Sequence, residues 1–246
     1  MKLLVCISHV PDTTTKIQFE ADGSKLNKAG VTWIINPYCE YGLSKALDIR
    51  ESGVSANITV ICVGGPEVEP TIRKALAIGA DSAVRIDAQP TSPAFVAKQI
   101  ADYAEGKDFS VIFMGKESID FNGTMVPGMT AEHLKMPFIS YATSMQLSGE
   151  TNATLNREVD GGYEVVEVKL PAVVSCQKGI SEWRIPNMRG IMAARNKPLS
   201  VIAPTDTPEH TRTVKFDYPP AKENCRYFEP DNVEGLVNAL VTKGLI

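Results

Sequence analysis

The chain has 246 residues, 43% of them hydrophobic and 22% charged, which suits one large α/β domain with extensions. Its net charge of −4 offers no basic footprint for nucleic acid or an anionic membrane. The five cysteines are odd in number and include no Cys-x-x-Cys, and the three histidines are far apart, so neither a disulfide framework nor a metal site is expected.

The amino terminus, with one lysine and a short apolar run before His9 and Pro11, reads as a strand and not as a signal peptide. No stretch reaches the roughly 18–20 apolar residues of a membrane span, so a cytoplasmic protein without membrane insertion is expected. Cys6, Cys62 and Cys176 lie in apolar runs and read as small buried hydrophobes of a reducing compartment.

Leu3–Ser8 reads as a buried strand. Lys16–Phe19 and Thr32–Ile35 flank Asp22-Gly23-Ser24, which has hairpin chemistry. Cys39–Ser52 has helical periodicity, with Leu43, Ala46, Leu47 and Ile49 near one face. Ile58–Val63 is a second buried strand, followed by a helix that carries Ile72, Leu76 and Ile78 and stops at Gly79. Ala83–Ile86 reads as a strand, Ala94–Tyr103 as a helix, and Ser110–Met114 as a third central strand. Thr124–Lys135 reads as a helix with Pro127 in its first turn, where a missing N–H costs little.

This alternation predicts an α/β fold, doubly wound on a mostly parallel sheet, with right-handed crossovers. Ligands on such sheets sit outside the carboxyl ends of the strands. The places to search are therefore Cys6–Pro11, Val63–Pro66 and Gly115–Val126.

After residue 138 the pattern becomes β-rich: Tyr141–Asn156 alternates weakly, Asp160-Gly161-Gly162 is a turn, Tyr163–Leu170 alternates cleanly, and Ala172–Cys176 is apolar. Five prolines between 204 and 230 break any periodicity. Residues 204–246 are expected to form an extended arm ending in an amphipathic helix, Val233–Lys243, distinct from a nucleotide-binding domain over residues 1–203. An arm of this kind needs a surface to lie on, such as another chain.

The segment Gly115–Val126 follows a strand and precedes a helix, a junction whose free N–H groups and helix dipole suit a phosphate, although a long βα loop that binds nothing has the same pattern. Neither a GxxxxGK[ST] loop nor a strand-following GxGxxG occurs. Asn36, before Pro37, Tyr38 and Cys39, has the donor and acceptor that an adenine edge requires, and is equally a good helix cap. Glu182–Arg195 mixes Trp183, Arg184, Met188, Arg189, Ile191 and Met192, residue types enriched at protein interfaces, and reads alternatively as a loop and helix on their own core. Glu117 and Asp120 read as solvated loop carboxylates, and no catalytic constellation suggests itself.

Taken together, INPYCE, TIRKALAIGAD, GKESID, MTAEHL, REVDGGYEVVEVKLPAVVS and GIMAARNK, in this order from Lys2 to about Ile202, resemble the β subunits of electron-transfer flavoproteins. The resemblance implies a fold like that of the adenine nucleotide α hydrolases. It implies a carrier subunit and not an enzyme, paired with a larger α subunit that holds most of the FAD. Electrons would come from acyl-CoA and related flavin dehydrogenases and pass to a quinone oxidoreductase at the membrane. It places the protein in a bacterial cytoplasm or a mitochondrial matrix.

By motif position, the resemblance assigns a structural AMP to Cys6, Asn36, Pro37, Tyr38, Cys39, Val63, Gly115, Asp120, Asn122, Gly123, Thr124, Met125 and Val126. It sets Thr13 and Tyr38 near the α-subunit flavin, and Glu164 near the mobile flavin domain. It makes Arg184, Ile185, Pro186, Asn187, Met188, Arg189, Gly190, Ile191 and Met192 the loop that grips the dehydrogenase, with Met188 where the family usually has Leu. Two departures stand out. Thr124-Met125-Val126 replaces a polar Asn-Gln-Thr run, and Ser8 replaces a frequent Lys. The alternatives are a bifurcating relative with a second FAD in the AMP site and, in another class, an adenine-nucleotide hydrolase or sensor, whose Gly-rich phosphate signatures are absent.

Overall fold

The computed structural model describes residues 1–222 and 225–246; of the arm expected over 204–246, residues 223 and 224 lie outside the described residues. The chain divides into two compact units, one of residues 1–18 and 27–214, the other of residues 19–26 and 215–246.

The first unit is built on a nine-stranded sheet. In chain order its elements are β1 (Lys2–Cys6), β2 (His9–Pro11), β3 (Trp33–Ile35), α1 (Pro37–Glu51), β4 (Asn57–Val63), α2 (Glu69–Ile78), β5 (Ser82–Ile86), α3 (Pro93–Ala104), β6 (Val111–Gly115), α4 (Met125–Leu134), β7 (Phe138–Ser148), β8 (Asn152–Val159), β9 (Gly162–Lys169), β10 (Ala172–Cys176), α5 (Met188–Ala194) and β11 (Leu199–Ile202). The strand order is β11-β5-β4-β1-β6-β10-β7-β8-β9. Every pairing from β11 to β7 is parallel, and β7-β8-β9 is an antiparallel meander at one edge.

The apolar periodicities explain the two layers. Alternate residues of the central strands face opposite sides. Leu3 and Val5 of β1, Val60 of β4 and Phe113 of β6 pack with Leu43 and Leu47 of α1 and Ile72 and Leu76 of α2. Leu4, Ile61 and Ile112 pack with Ile100 of α3 and Ala131 of α4. The sheet is thus covered on both faces, as a doubly wound α/β fold requires. The chain reverses its winding at β1, which lies between β4 and β6.

One expectation needs correction, and two features go beyond the sequence reading. Thr32–Ile35 does not pair with Lys16–Phe19: β3 pairs antiparallel with β2, as Ile35 opposite His9 and Trp33 opposite Pro11, because β2 continues directly from the central strand. Tyr141–Asn156 is not one segment but parts of β7 and β8, which turn at Gly149, φ 72°. The edge strand β11, which carries only partly buried and exposed side chains, was not anticipated.

The second unit joins a short hairpin to the chain's carboxyl-terminal part. Phe19 bridges Leu26, the Phe216 N–H donates to the Gly23 carbonyl at 2.8 Å, and the Phe19 ring lies 5.3 Å from Phe216 and 4.9 Å from Tyr218. Gly23 takes φ 70°, where a side chain would be strained and its Cβ would stand 2.9 Å from the Phe216 carbonyl. Among its described residues the helix α6 (Val233–Thr242) is capped by Asn232 and buries none of its side chains.

Candidate functional site

The carboxyl ends of β1, β4 and β6 meet at the winding reversal. The first contact is backbone to backbone: the Asn36 N–H donates to the Ser8 carbonyl at 2.9 Å, tying the start of α1 to the chain leaving β1. Asn36 is fully buried. Its side chain makes neither an N-terminal cap on α1 nor a free edge for a base. Instead Nδ2 donates to the Glu117 carbonyl at 2.7 Å, and Oδ1 accepts from the Ile119 N–H at 3.2 Å. Both ends of the amide are spent on the segment that follows β6.

Gly115 makes this approach possible. A Cβ there would lie 2.8 Å from Asn36 Nδ2, 2.9 Å from Tyr38 Cβ and 3.0 Å from the Cys39 nitrogen. Beyond it the chain folds on itself. Ser118 bridges Gly123, the Asn122 N–H donates to the Ser118 carbonyl at 2.7 Å, and Asn122 sits at φ 49°. The Ser118 hydroxyl donates to Asp120, whose carboxyl the surrounding loop desolvates and pushes upward even though the residue is exposed. At Gly123 an added Cβ would meet nothing, so open space faces this turn.

Two helices begin at this site without a side-chain cap, α1 after Asn36 and α4 after Thr124. Helix α2 also lacks one, after Val68, whereas α3, α5 and α6 are capped, by Ser92, Asn187 and Asn232. The orphan N–H groups of an uncapped first turn are donors for an anion. The side chains of Met125 and Val126 can add no hydrogen bonds, and Met125 is exposed. A phosphate here would be held by main chain.

The remaining assigned residues fall as follows. Cys6 and Val63 are buried at their strand ends, leaving only main chain toward a ligand. The Cys39 thiol lies against Asn36, Ser8 and Gly115, and burial raises its pKa. Gly64 and Gly65, after β4, approach Val68 and Glu67 too closely for a Cβ to fit without movement. Buried Arg85 steadies that turn, donating to the Gly64 carbonyl at 3.0 Å while pairing with Glu69 at 3.1 Å and Asp87 at 2.5 Å. Thr13 is exposed in the Asp12–Thr15 turn. Glu164 is exposed on β9 and pairs with Arg157 at 2.9 Å.

Sequence reasoning missed that Lys116 joins Tyr38 to Tyr141. The Lys116 ammonium stands 4.8 Å from the Tyr38 ring and 5.8 Å from Tyr141. Tyr141 takes φ 52°, unusual for a bulky residue, in a β-bulge where its N–H donates to Ser175 Oγ at 2.9 Å. On the β2-β3 ribbon, His9 stacks on Trp33 at 4.5 Å and its Nδ1 lies 2.7 Å from Thr71 Oγ1.

The segment from Arg184 to Met192 forms a second surface, distant in sequence. Trp183, Ile185, Met188 and Met192 are all more than half exposed. Met188, 73% exposed, opens α5 and contributes nothing to the core. The alternative of a loop and helix folded on their own core is met only at Ala194, which is buried in the main cluster. Among the described residues no group of three His, Cys, Asp or Glu side chains is arranged to hold a metal, and no helix is long and apolar enough to cross a membrane.

Residues 24–207 match the family model of the electron transfer flavoprotein domain. Electron transfer flavoprotein subunit beta of Syntrophomonas wolfei is 36% identical over 223 residues, covering 90% of this chain and 87% of that protein. The Bacillus subtilis subunit beta is 32% identical over 245 residues, covering 95% and 94%. The human subunit beta is 31% identical over 211 residues, covering 84% and 82%.

Proposed function

The chain belongs to the electron transfer flavoprotein family, as a β subunit, and we propose that it serves as the nucleotide-binding half of a heterodimer that carries electrons but catalyses no reaction of its own. The α subunit holds most of the FAD, which supplies the redox chemistry by changing state one electron at a time. This chain contributes binding and orientation.

The observation that carries the reading is the pair of uncapped helices, α1 and α4, opening at the carboxyl ends of β1 and β6 with open space at Gly123. An AMP fits this arrangement. Its base would lie among Cys6, Asn36 to Cys39 and Val63, meeting main chain because the Asn36 amide is already engaged. Its phosphate would meet the N–H groups from Gly123 to Val126. Asp120 and Asn122 would shape the turn around it, Asp120 Oδ1 already accepting from the Ser118 hydroxyl and the Phe121 N–H. INPYCE resembles the form of the family that holds AMP, which favours AMP over a second FAD.

Thr13, Tyr38 and Glu164 would face the flavin domain of the α subunit. The arm over residues 204–246, with the apolar stripe of α6 exposed at Val233, Leu236, Val237 and Val241, would lie on that subunit. The segment from Arg184 to Met192 would dock acyl-CoA and related flavin dehydrogenases, and a membrane quinone oxidoreductase would take the electrons onward. The setting would be a bacterial cytoplasm or a mitochondrial matrix. Mixing the purified heterodimer with a substrate-reduced acyl-CoA dehydrogenase tests this directly. Bleaching of the heterodimer's flavin is expected, and a flavin that stays oxidised would refute the carrier role with that class of donor.

A further inference from the structure

The segment that leads from β10 to α5 is fixed unequally at its two ends. At its far end, α5 is stapled to α2. Arg73 Nη1 donates to the carbonyls of Ala194 and Lys197, each at 2.8 Å, and Lys197 Nζ donates to those of Leu76 at 2.9 Å and Ala80 at 2.6 Å. Gly190 packs so closely on α2 that a Cβ would stand 2.3 Å from the Ala77 carbonyl. At its near end, after the buried Ile180, two side chains hydrogen-bond to the body of the protein, and both end on the last turn of α1. Ser181 Oγ donates to Asp48 Oδ2 at 2.7 Å. Arg184 forms a two-pronged pair with Glu51, at 2.6 and 2.8 Å, and its Nη2 also donates to Asp48 Oδ1 at 2.5 Å.

The geometry points to Arg184 as a positioning residue that turns inward to α1 and sets the apolar loop for its partner, and not as a contact made to the partner. The inference rests on the reading of this segment as the dehydrogenase-docking loop. A guanidinium fork seated on a carboxylate is directionally restrictive in a way that a single ammonium is not. To grip a partner, Arg184 would have to leave two carboxylates at once. Held where it is, it leaves its neighbours Trp183, Ile185 and Met188 exposed, at 55%, 76% and 73%. Such pre-ordering spares the complex the cost of immobilising the loop on docking. Because the pair is itself partly exposed, it adds little to global stability. Its effect is local order.

The test uses the heterodimer with its α subunit, an acyl-CoA dehydrogenase for which the heterodimer is the varied acceptor, and the variants Glu51→Ala, Arg184→Ala, Arg184→Lys and Met188→Ala. In the free heterodimer, Glu51→Ala and Arg184→Ala are expected to speed amide hydrogen exchange over residues 181–188 with an unchanged melting temperature. Each is expected to raise KM for the heterodimer roughly three- to tenfold at constant kcat. The double variant is expected to be no worse than Arg184→Ala, and Arg184→Lys to recover only part of the loss. Wild-type exchange and KM in Glu51→Ala, beside a raised KM in Arg184→Ala, would overturn the proposal, because Arg184 would then act on the partner directly. Met188→Ala separates the premise: an unchanged KM there would remove the docking reading, and with it the role of Arg184 in docking, even if the exchange data showed the tether.

Discussion

The side-chain amide of Asn36 spans from the start of α1 to the main chain at Glu117, donating at 2.7 Å, and closes the same bridge by accepting from Ile119. One buried residue therefore fixes the loop that leads from β6 to α4. Asn36→Ala leaves a carbonyl and an N–H without these partners, at a cost of about 2–4 kcal/mol for two unmatched groups. Asn36→Asp costs at least as much, since a carboxylate would face the Glu117 carbonyl. Denaturant midpoints of the two variants check this, and midpoints equal to wild type would refute the bridge.

Gly115 and Gly123 bound that loop and respond oppositely to alanine. Gly115→Ala places a Cβ within 3.0 Å of three atoms from Asn36, Tyr38 and Cys39, and is expected to destabilise the chain by about 1–3 kcal/mol. Gly123→Ala meets no atom, so stability should hold within about 0.5 kcal/mol. Nucleotide retention should nevertheless fall, because the methyl occupies the space where a phosphate would approach. A Gly123→Ala heterodimer that purifies with full nucleotide would contradict this placement.

Met188→Ala should leave thermal stability unchanged, because the side chain is 73% exposed. It should weaken docking by about 1–2 kcal/mol, the cost of truncating an apolar anchor at an interface centre. The check is turnover at limiting dehydrogenase with varied heterodimer.

The four buried thiols give a pH signature. Burial raises the pKa of Cys6, Cys39 and Cys176, and pushes that of Cys62 up to about 12. A thiol that ionises in the unfolded chain but stays protonated in the fold contributes stability that is fully present below its unfolded pKa. That stability is lost as pH rises through the folded value, so the alkaline side should weaken. Each such thiol adds a slope of about 1.4 kcal/mol per pH unit above about pH 9. Urea midpoints measured from pH 8 to 11 should fall progressively, and Cys62→Ala should fall less steeply. A flat profile would exclude this burial.

What could be read from the sequence follows from range. The central strands and α1 to α4 show themselves in local periodicity, and β10 falls on Ala172–Cys176 with its bounds unchanged. The strand-end rule located the loop from Gly115 to Val126 without any partner information. The pairing of β2 with β3 could not be read, because the two strands are separated by more than twenty residues that carry hairpin chemistry of their own. The Tyr141 bulge depends on Ser175, 34 positions away, and the Arg184 pair on Glu51, 133 positions away. Both are tertiary facts that no window reveals. Asn36 fits either local reading, as base contact or helix cap, and its amide instead reaches Glu117 and Ile119.

This chain is proposed to hold a structural AMP beside an FAD carried mainly by its partner. The most direct measurement is to co-express the chain with its α subunit, denature the purified heterodimer and identify the released nucleotides by chromatography. One FAD and one AMP per heterodimer is the predicted result. Two FAD, or one FAD with no AMP, would contradict it: the first would make the site that of a bifurcating relative, and the second would mean that main-chain donors at Thr124 to Val126 do not suffice to hold the phosphate.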